Sequence, residues 1–478
     1  MSKSILEPTE DNLKETFLND HIGRNEELVY FIKMLLDIPC GSTIALNGDW
    51  GCGKTFFVKQ VKMILDAYNP NNDIGELNES DLQDIQNHFL NIQKNYCVQY
   101  DINRYATVYY DAWKNDNSDD PFLSLLYTIA TRMNSNVPED RFEVIKSTFS
   151  KVLSCITGIA SLYTPINLNA ITESLKGLLK SKDDIFSNIK REANLDKRIK
   201  EFFNVIFDDE EERKIIVFVD ELDRCKPSFA MAFLEKVKHY FNNDRTVFVF
   251  SCNINELQHS IRTYYGNEFN ASKYLDRFFN YYIELGYPNI KNYLTNLGVS
   301  SDTLGMIIKD VSQHFHFQLR EACKFYDCMS KALGKYNAIK YQSGSIEQIS
   351  LSYLITLVLP YTIGLRFHNI NSYNDFINGR YFDDYLVFMK KTIFYTRDIN
   401  LKLLNPDEKY DEARTFISGG VKHLTRDSKL KSFYNDIFPY RQLNGEVEYG
   451  AVILSQPVID VFKKIIHGTS FMADYKDV

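Results

Sequence analysis

The stretch that most constrains this chain runs from Ser42 to Phe57, S-T-I-A-L-N-G-D-W-G-C-G-K-T-F-F. A short apolar run, Ile44-Ala45-Leu46, reads as a buried strand, breaks at a glycine-rich turn and resumes as an amphipathic helix. Between the two lies Gly48-Asp49-Trp50-Gly51-Cys52-Gly53-Lys54-Thr55, the spacing G-x-x-x-x-G-K-T. This is a phosphate-binding P-loop in the strand-to-helix setting its chemistry requires. A phosphate chain has to lie against successive backbone N–H groups, which a Cβ obstructs, and the helix start behind them adds partial positive charge. Lys54 is therefore expected to reach the β- and γ-phosphates of a nucleotide, with the Thr55 hydroxyl on Mg2+.

A second feature downstream matches the first. Lys214 to Glu221, K-I-I-V-F-V-D-E, is a nearly continuous apolar run of the kind buried on both faces of a sheet, and it closes in an acidic pair. Asp220 is placed to hold Mg2+ through water. Glu221, expected to point differently because side chains alternate along a strand, is placed to polarise the attacking water. A further apolar run, Thr246 to Asn253, follows one intervening helix, and this strand, helix, strand rhythm predicts a parallel sheet covered on both faces. Asn253 at its end either hydrogen-bonds the same water or the γ-phosphate, or caps the turn. Another strand is predicted over Ala106 to Asp111, followed by Ala112-Trp113 and a helix opened by Pro121.

With 478 residues, 44% of them hydrophobic, the chain has room for two or three domains with real cores. A formal net charge of -8 and a pI near 5.7 provide no overall basic field for nucleic acid, although a local patch stays open. The eight cysteines are scattered without C-x-x-C pairs, which reads as reduced thiols and neither a disulfide framework nor a zinc site. No H-E-x-x-H supports a metal hydrolase. The polar, acidic start, Met1 to Asp11, lacks the pattern of a signal peptide, and no stretch offers the ~20 uninterrupted apolar residues of a membrane span. Val152 to Tyr163, and Leu351 to Leu365 with its interruption at Pro360, are read as buried helices. A cytoplasmic location is expected, with peripheral docking on a membrane left open.

Residues 12 to 38 are predicted helical around an interruption at Asp20 to Arg24, and residues 76 to 95 form a solvated acidic helix. Residues 145 to 205 are helical in pattern, first apolar and then basic at Lys180, Lys182, Lys190, Arg191, Lys197, Arg198 and Lys200. Interleaved acids make the basic part an exposed mixed-charge face. Beyond Pro288 the pattern is helical to the end.

Together Gly48-Asp49-Trp50-Gly51-Cys52-Gly53-Lys54-Thr55, Asp111-Ala112-Trp113-Lys114 and Asp220-Glu221-Leu222-Asp223-Arg224-Cys225-Lys226-Pro227, with Leu234-Glu235 following, resemble the KAP family of P-loop ATPases over about residues 18 to 330. The family shows a G-x-W-G-x-G-K-S/T loop, an N-A-W-x strand end and a D-D-L-D-R-C-x-P acidic strand end. The resemblance implies an α/β fold of the additional-strand, catalytic-glutamate division: a parallel sheet sandwiched by helices, a helical insertion at about 145–205, and a mostly α-helical C-terminal domain. It implies a core over 1–286 with a helical lead at 12–38, a helical lid over 287–345 and an effector or sensor domain over 346–478.

Carried over by motif, Asp220 and Thr55 hold Mg2+ and Glu221 is the base, where the family often has Asp. The nucleotide set is Gly48, Asp49, Trp50, Gly51, Cys52, Gly53, Lys54, Thr55 and Phe56, with Gly23 and Arg24 in the interruption ahead of the loop. Asp223-Arg224-Cys225 shapes the site or an intersubunit contact. Arg277, in Lys273 to Phe279, is either an arginine finger for a neighbouring subunit or a salt-bridged surface residue, and Arg320, in a Phe317 to Glu321 element, senses the γ-phosphate. Many relatives carry paired membrane helices where residues 145 to 205 lie, and this chain lacks the hydrophobic length for them. Asp111 replaces the family asparagine, and Cys52 stands where relatives have serine, so it is either a redox thiol or simply a small residue. The function implied is a Mg2+-dependent, ATP-hydrolysing switch, slow or stimulated by a partner, in bacterial defence against phage. Its partners are ATP and a second copy of the chain, a protein encoded nearby, or both. Two alternatives stay open: a nucleotide-stabilised scaffold without turnover, and a DNA-dependent motor or loader.

Overall fold

The structure is a computed structural model that describes residues 7–69, 77–132, 144–152, 195–205, 214–240, 246–395 and 426–468, apart from scattered positions within those spans. The chain divides into two compact units, Met1–Tyr287 and Pro288–Val478.

Among the described residues the first unit is built on five parallel strands: β1 (Thr43–Asn47), β2 (Ala106–Asp111), β3 (Ile215–Asp220), β4 (Thr246–Cys252) and β5 (Tyr281–Glu284), in the order β2-β3-β4-β1-β5. Every residue of β3 and β4 is buried, as their unbroken apolar runs require. Ile215, Val217 and Val219 lie in the core with α5 (Pro121–Arg132) and α6 (Pro227–Tyr240), and the alternate residues Ile216 and Phe218, also buried, turn to the other face. β5 was not anticipated. It has four largely exposed residues, and its pairing with β1 rather than any apolar run defines it.

Ahead of the sheet, α1 (Glu10–Leu18) and α2 (Asn25–Asp37) form the expected helix-loop-helix. The break between them is made by Asp20, whose carboxylate accepts from the Arg24 and Asn25 backbone N–H groups at 2.9 and 3.1 Å. α3 (Lys54–Ala67) follows the glycine loop, and α4 (Glu79–Asn95) starts in an Asn78–Asp81 capping box. These four helices pack on one another, burying Phe17, Leu28, Ile32 and Phe89. From the expected helical insertion, Ile145, Phe149, Val152, Leu195, Ile199 and Phe202 join the core of the sheet. The apolar run beyond Val152 and the basic residues Lys180, Lys182, Lys190 and Arg191 lie outside the described residues. Lys197 and Lys200 are exposed, and Arg198 pairs with Glu201 at 2.6 Å.

The second unit is mostly helical and spans both stretches expected as lid and effector. Its most apolar segment, Ile346–His368, is 23 residues long, the one helix among the described residues with the length and composition to cross a membrane, and 78% of its apolar window is buried. Pro360 does not interrupt it. Proline lacks an N–H and crowds the carbonyl four residues back, and the helix accommodates it by widening into a π turn over Leu354–Val358. Further along, a Cβ on Gly364 would meet Val311 Cγ1 at 2.5 Å, so two helices approach here to a distance that only glycine allows. The expectation of helix alone is corrected by an antiparallel pair, Val447–Tyr449 with Val452–Leu454, whose three-residue strands are too short to show a period.

Candidate functional site

The loop between β1 and α3 takes its shape from its glycines. Gly51 and Gly53 have φ of +88° and +97°, where a side chain is strained, and a Cβ on Gly48 would meet the Cys52 sulfur at 2.8 Å. Cys52 is buried, filling that space as a small residue does. Lys54 opens α3, and its ammonium donates to the Gly48 and Asp49 carbonyls at 2.6 and 3.1 Å, so it lies folded over the loop. Thr55 is half-buried beside it, and Phe56 packs into the core.

Next to the loop lies Arg24, held by the turn through Gly23 (φ +74°). Its guanidinium is buried and donates to the Gly286 carbonyl at 2.5 Å, with Glu27 at 3.6 Å. Burial lowers the Arg24 pKa, opposed by Glu27 and Cys52, and burial likewise raises that of Glu27. Neither Arg24 Nε nor Glu27 Oε2 makes a hydrogen bond among the described residues. The two atoms face each other at 3.6 Å, too far for a hydrogen bond and close enough for an ion pair.

The acidic side of the site is assembled by strand register. Pairing sets Asp111 beside Asp220, and β4 lies between β1 and β3, so the loop and Asp220 share the C-terminal edge of the sheet one strand apart. Asp220 is 1% exposed. It accepts from the Tyr109 hydroxyl at 2.8 Å and from the Glu221 N–H at 3.1 Å. Burial, with Asp220 beside it, pushes the Tyr109 phenol far above its ordinary value, so Tyr109 stays a donor. The Lys59 ammonium stands 4.7 Å from the Tyr109 ring centre. Asp111, in the place of the family asparagine, accepts from the Lys114 N–H at 3.0 Å and serves as a turn cap.

Glu221 does not continue the strand. β3 ends at Asp220, and Glu221 takes φ +61° and ψ +27°, so its side chain diverges from that of Asp220 through a left-handed turn rather than through the strand pleat. Its carboxylate meets the Arg224 guanidinium at 2.9 Å. Burial raises the Glu221 pKa and Arg224 opposes the rise. Arg224 lies 5.4 Å from the centre of the Trp113 ring, and the Trp50 indole N–H donates to Asp223 at 2.6 Å. Cys225 is buried with its thiol pushed up by that burial, which leaves it unreactive.

The remaining candidates lie on three different elements. Asn253 is the N-cap of α7 (Ile254–Tyr265), its side-chain oxygen accepting from the Asn255 and Glu256 N–H groups at 3.0 and 3.4 Å. Arg277 is exposed just ahead of β5, where Asn280 donates to the Thr43 carbonyl at the start of β1. That is the opposite end of β1 from the loop, about 16 Å away at the rise of a strand. Arg320 is exposed in the first turn of Leu319–Asn337 in the second unit. Two residues not anticipated complete the site's frame: Tyr109, and Asn47, which accepts from the Ile254 N–H at 2.8 Å and donates to Glu284 at 2.7 Å.

The donor set fits a hard cation. A threonine hydroxyl and a single buried carboxylate are oxygen ligands of the kind Mg2+ takes when phosphates supply the rest. Among the described residues no group of three or more His, Cys, Asp or Glu side chains gathers into a self-sufficient metal cage.

Compared with known families, residues 25–314 match the model of the KAP family P-loop domain, more than half of the 478 residues. No curated protein matches the chain.

Proposed function

The chain belongs to the KAP family of P-loop domains, and on that premise we propose that it binds ATP with Mg2+ and hydrolyses it as a molecular switch. The observation that carries the reading is the meeting, at one edge of a parallel sheet, of a glycine loop closed by Lys54 with the Asp220-Glu221 turn one strand away. That intervening strand, β4, supports the additional-strand, catalytic-glutamate division.

Gly48 to Thr55 cradle the phosphates through backbone N–H groups, and Lys54 exchanges the Gly48 and Asp49 carbonyls for phosphate oxygens. Arg24, buried beside the loop with Glu27 facing its Nε at 3.6 Å, adds a second cationic side chain. Thr55 and Asp220 would hold Mg2+, with Tyr109 fixing the Asp220 carboxylate. When bound, the ion would offset charge developing on the transferring phosphoryl group. Glu221 accepts a proton from the attacking water. The Asn253 oxygen is engaged in capping, so its amide N–H2 is the end that can meet that water. Arg277, at the far end of β1 from this chain's own loop, serves a neighbouring copy, which implies an oligomer.

Phosphate release from ATP and Mg2+ tests the reading: the parent releases phosphate and Lys54→Ala does not. Thermal stabilisation by ATP without release under any condition would replace the switch with a nucleotide-ordered scaffold. The setting implied by the family, defence against phage, predicts fewer plaques on cells expressing the parent than on cells expressing Lys54→Ala. Light scattering with a slowly hydrolysed ATP analogue tests the oligomer, and a monomer with and without nucleotide removes Arg277 from the site.

A further inference from the structure

We infer that Trp50 and Arg224 are positioning residues for Glu221: the Trp50 indole ties the phosphate loop to the acidic turn through Asp223, and Arg224, laid against Trp113, holds the Glu221 carboxylate. This rests on the reading of Glu221 as the base.

Glu221 sits where its own backbone does little to hold it. A left-handed residue that is not glycine persists when its surroundings over-determine it. Asp20, Cys97, Glu221 and His316 are in that condition among the described residues. At Glu221 the surroundings come from three strand ends. Leu222–Arg224 form one 3-10 turn with Leu222 buried, and in such a turn residues three apart eclipse, which sets Arg224 over Glu221 at 2.9 Å. The β2 end supplies Trp113 as a platform for that guanidinium, and it is itself tied to β3 by the Ala112 N–H on the Asp220 carbonyl at 2.9 Å. The β1 end supplies Trp50, in the middle of the phosphate loop.

The Trp50 contact is polar in purpose. Trp50 is 49% exposed and Trp113 51%, so neither tryptophan is held there by burial. Asp223, by contrast, is 7% exposed, and a buried carboxylate is costly without a donor. Indole N–H is a donor and nothing else, and at 2.6 Å it makes a short, charge-assisted bond. Any displacement of the loop at Trp50 is therefore passed to Asp223, and through the three-residue turn to Arg224 and the base. The two tryptophans and the Asp-Arg pair converge on one carboxylate.

The test is steady-state phosphate release by the full chain, with nucleotide affinity measured separately. Trp50→Phe and Asp223→Ala are each expected to lower kcat by at least about tenfold while KM and ATP affinity stay within about twofold. Because both remove one bond, the double variant is expected to be no slower than the slower single variant. Asp223→Asn, whose amide oxygen still accepts from the indole, restores most of the rate. Arg224→Lys, which keeps the charge and loses the planar fork, falls between the parent and Arg224→Ala. Multiplying losses in the double variant, or a rise in KM at unchanged kcat, would overturn the inference. Glu221→Gln is assayed alongside. If it keeps the parental rate, the base reading fails and this inference with it. If it is inactive while the Trp50, Asp223 and Arg224 variants keep the parental rate, this inference alone fails.

Discussion

Backbone strain and proposed chemistry coincide at Glu221, and replacing it in two ways separates them. At φ +61° and ψ +27° a Cβ costs about 1–2 kcal/mol, a cost glycine does not incur. Glu221→Ala and Glu221→Gly both remove the carboxylate and its pair with Arg224. That pair joins side chains that are 20% and 27% exposed, is worth under about 1 kcal/mol, and drops out of the comparison in any case. What differs is the Cβ, set against the extra freedom of glycine in the unfolded chain, about 0.4–1 kcal/mol. Glu221→Gly is therefore expected to be more stable than Glu221→Ala by about 0.5–1 kcal/mol, the reverse of the order in a helix or strand. In a unit of this size the difference corresponds to about 2 °C in Tm. Urea and thermal denaturation of the full-length variants measure it, and phosphate release should be lost in both. An alanine variant as stable as the glycine variant would refute the left-handed turn and with it the way Glu221 is aimed.

Three other perturbations follow from particular contacts. Tyr109→Phe removes a hydroxyl from a buried carboxylate proposed to hold Mg2+, so the Mg2+ concentration for half-maximal turnover should rise about tenfold, and an unchanged requirement would free Tyr109 of that role. Gly364→Val places side-chain atoms on Val311, and a loss of about 1–3 kcal/mol is expected by chemical denaturation; no loss would contradict the close helix approach. At ATP one hundred times its Kd the parent should gain about 2.7 kcal/mol of stability, seen as a rise in Tm, and Lys54→Ala should gain none.

The phosphate loop was legible because its spacing is a backbone requirement: positive φ at Gly51 and Gly53 and a close approach at Gly48 leave a mark in the sequence itself. β2 begins at Ala106 and ends at Asp111 as expected, and β3 and β4 were legible because burial on both faces demands unbroken apolar runs. β5 escaped because an exposed edge strand of four residues owes its existence to β1, far away in sequence. The Tyr109 contact escaped for a related reason, since nothing local says that β2 and β3 pair in the register that brings its hydroxyl to Asp220. Trp50, Trp113, Asp223 and Arg224 were visible as family-marking residues, but their convergence on Glu221 needs the three strand ends brought together. Glu221 itself was read as a strand residue, because a left-handed turn leaves no signature when the residue is not glycine. Pro360 was read as a break because sequence shows the missing N–H and not the π turn that absorbs it.

Glu221 is proposed to take a proton from water at a site that holds ATP by other residues, and Glu221→Gln separates the two roles. The variant is incubated with ATP and Mg2+, and the nucleotide retained on the protein is identified. Parental affinity, bound nucleotide recovered as ATP, and phosphate release slower by at least about a hundredfold are expected. Bound ADP and phosphate release at the parental rate would contradict it.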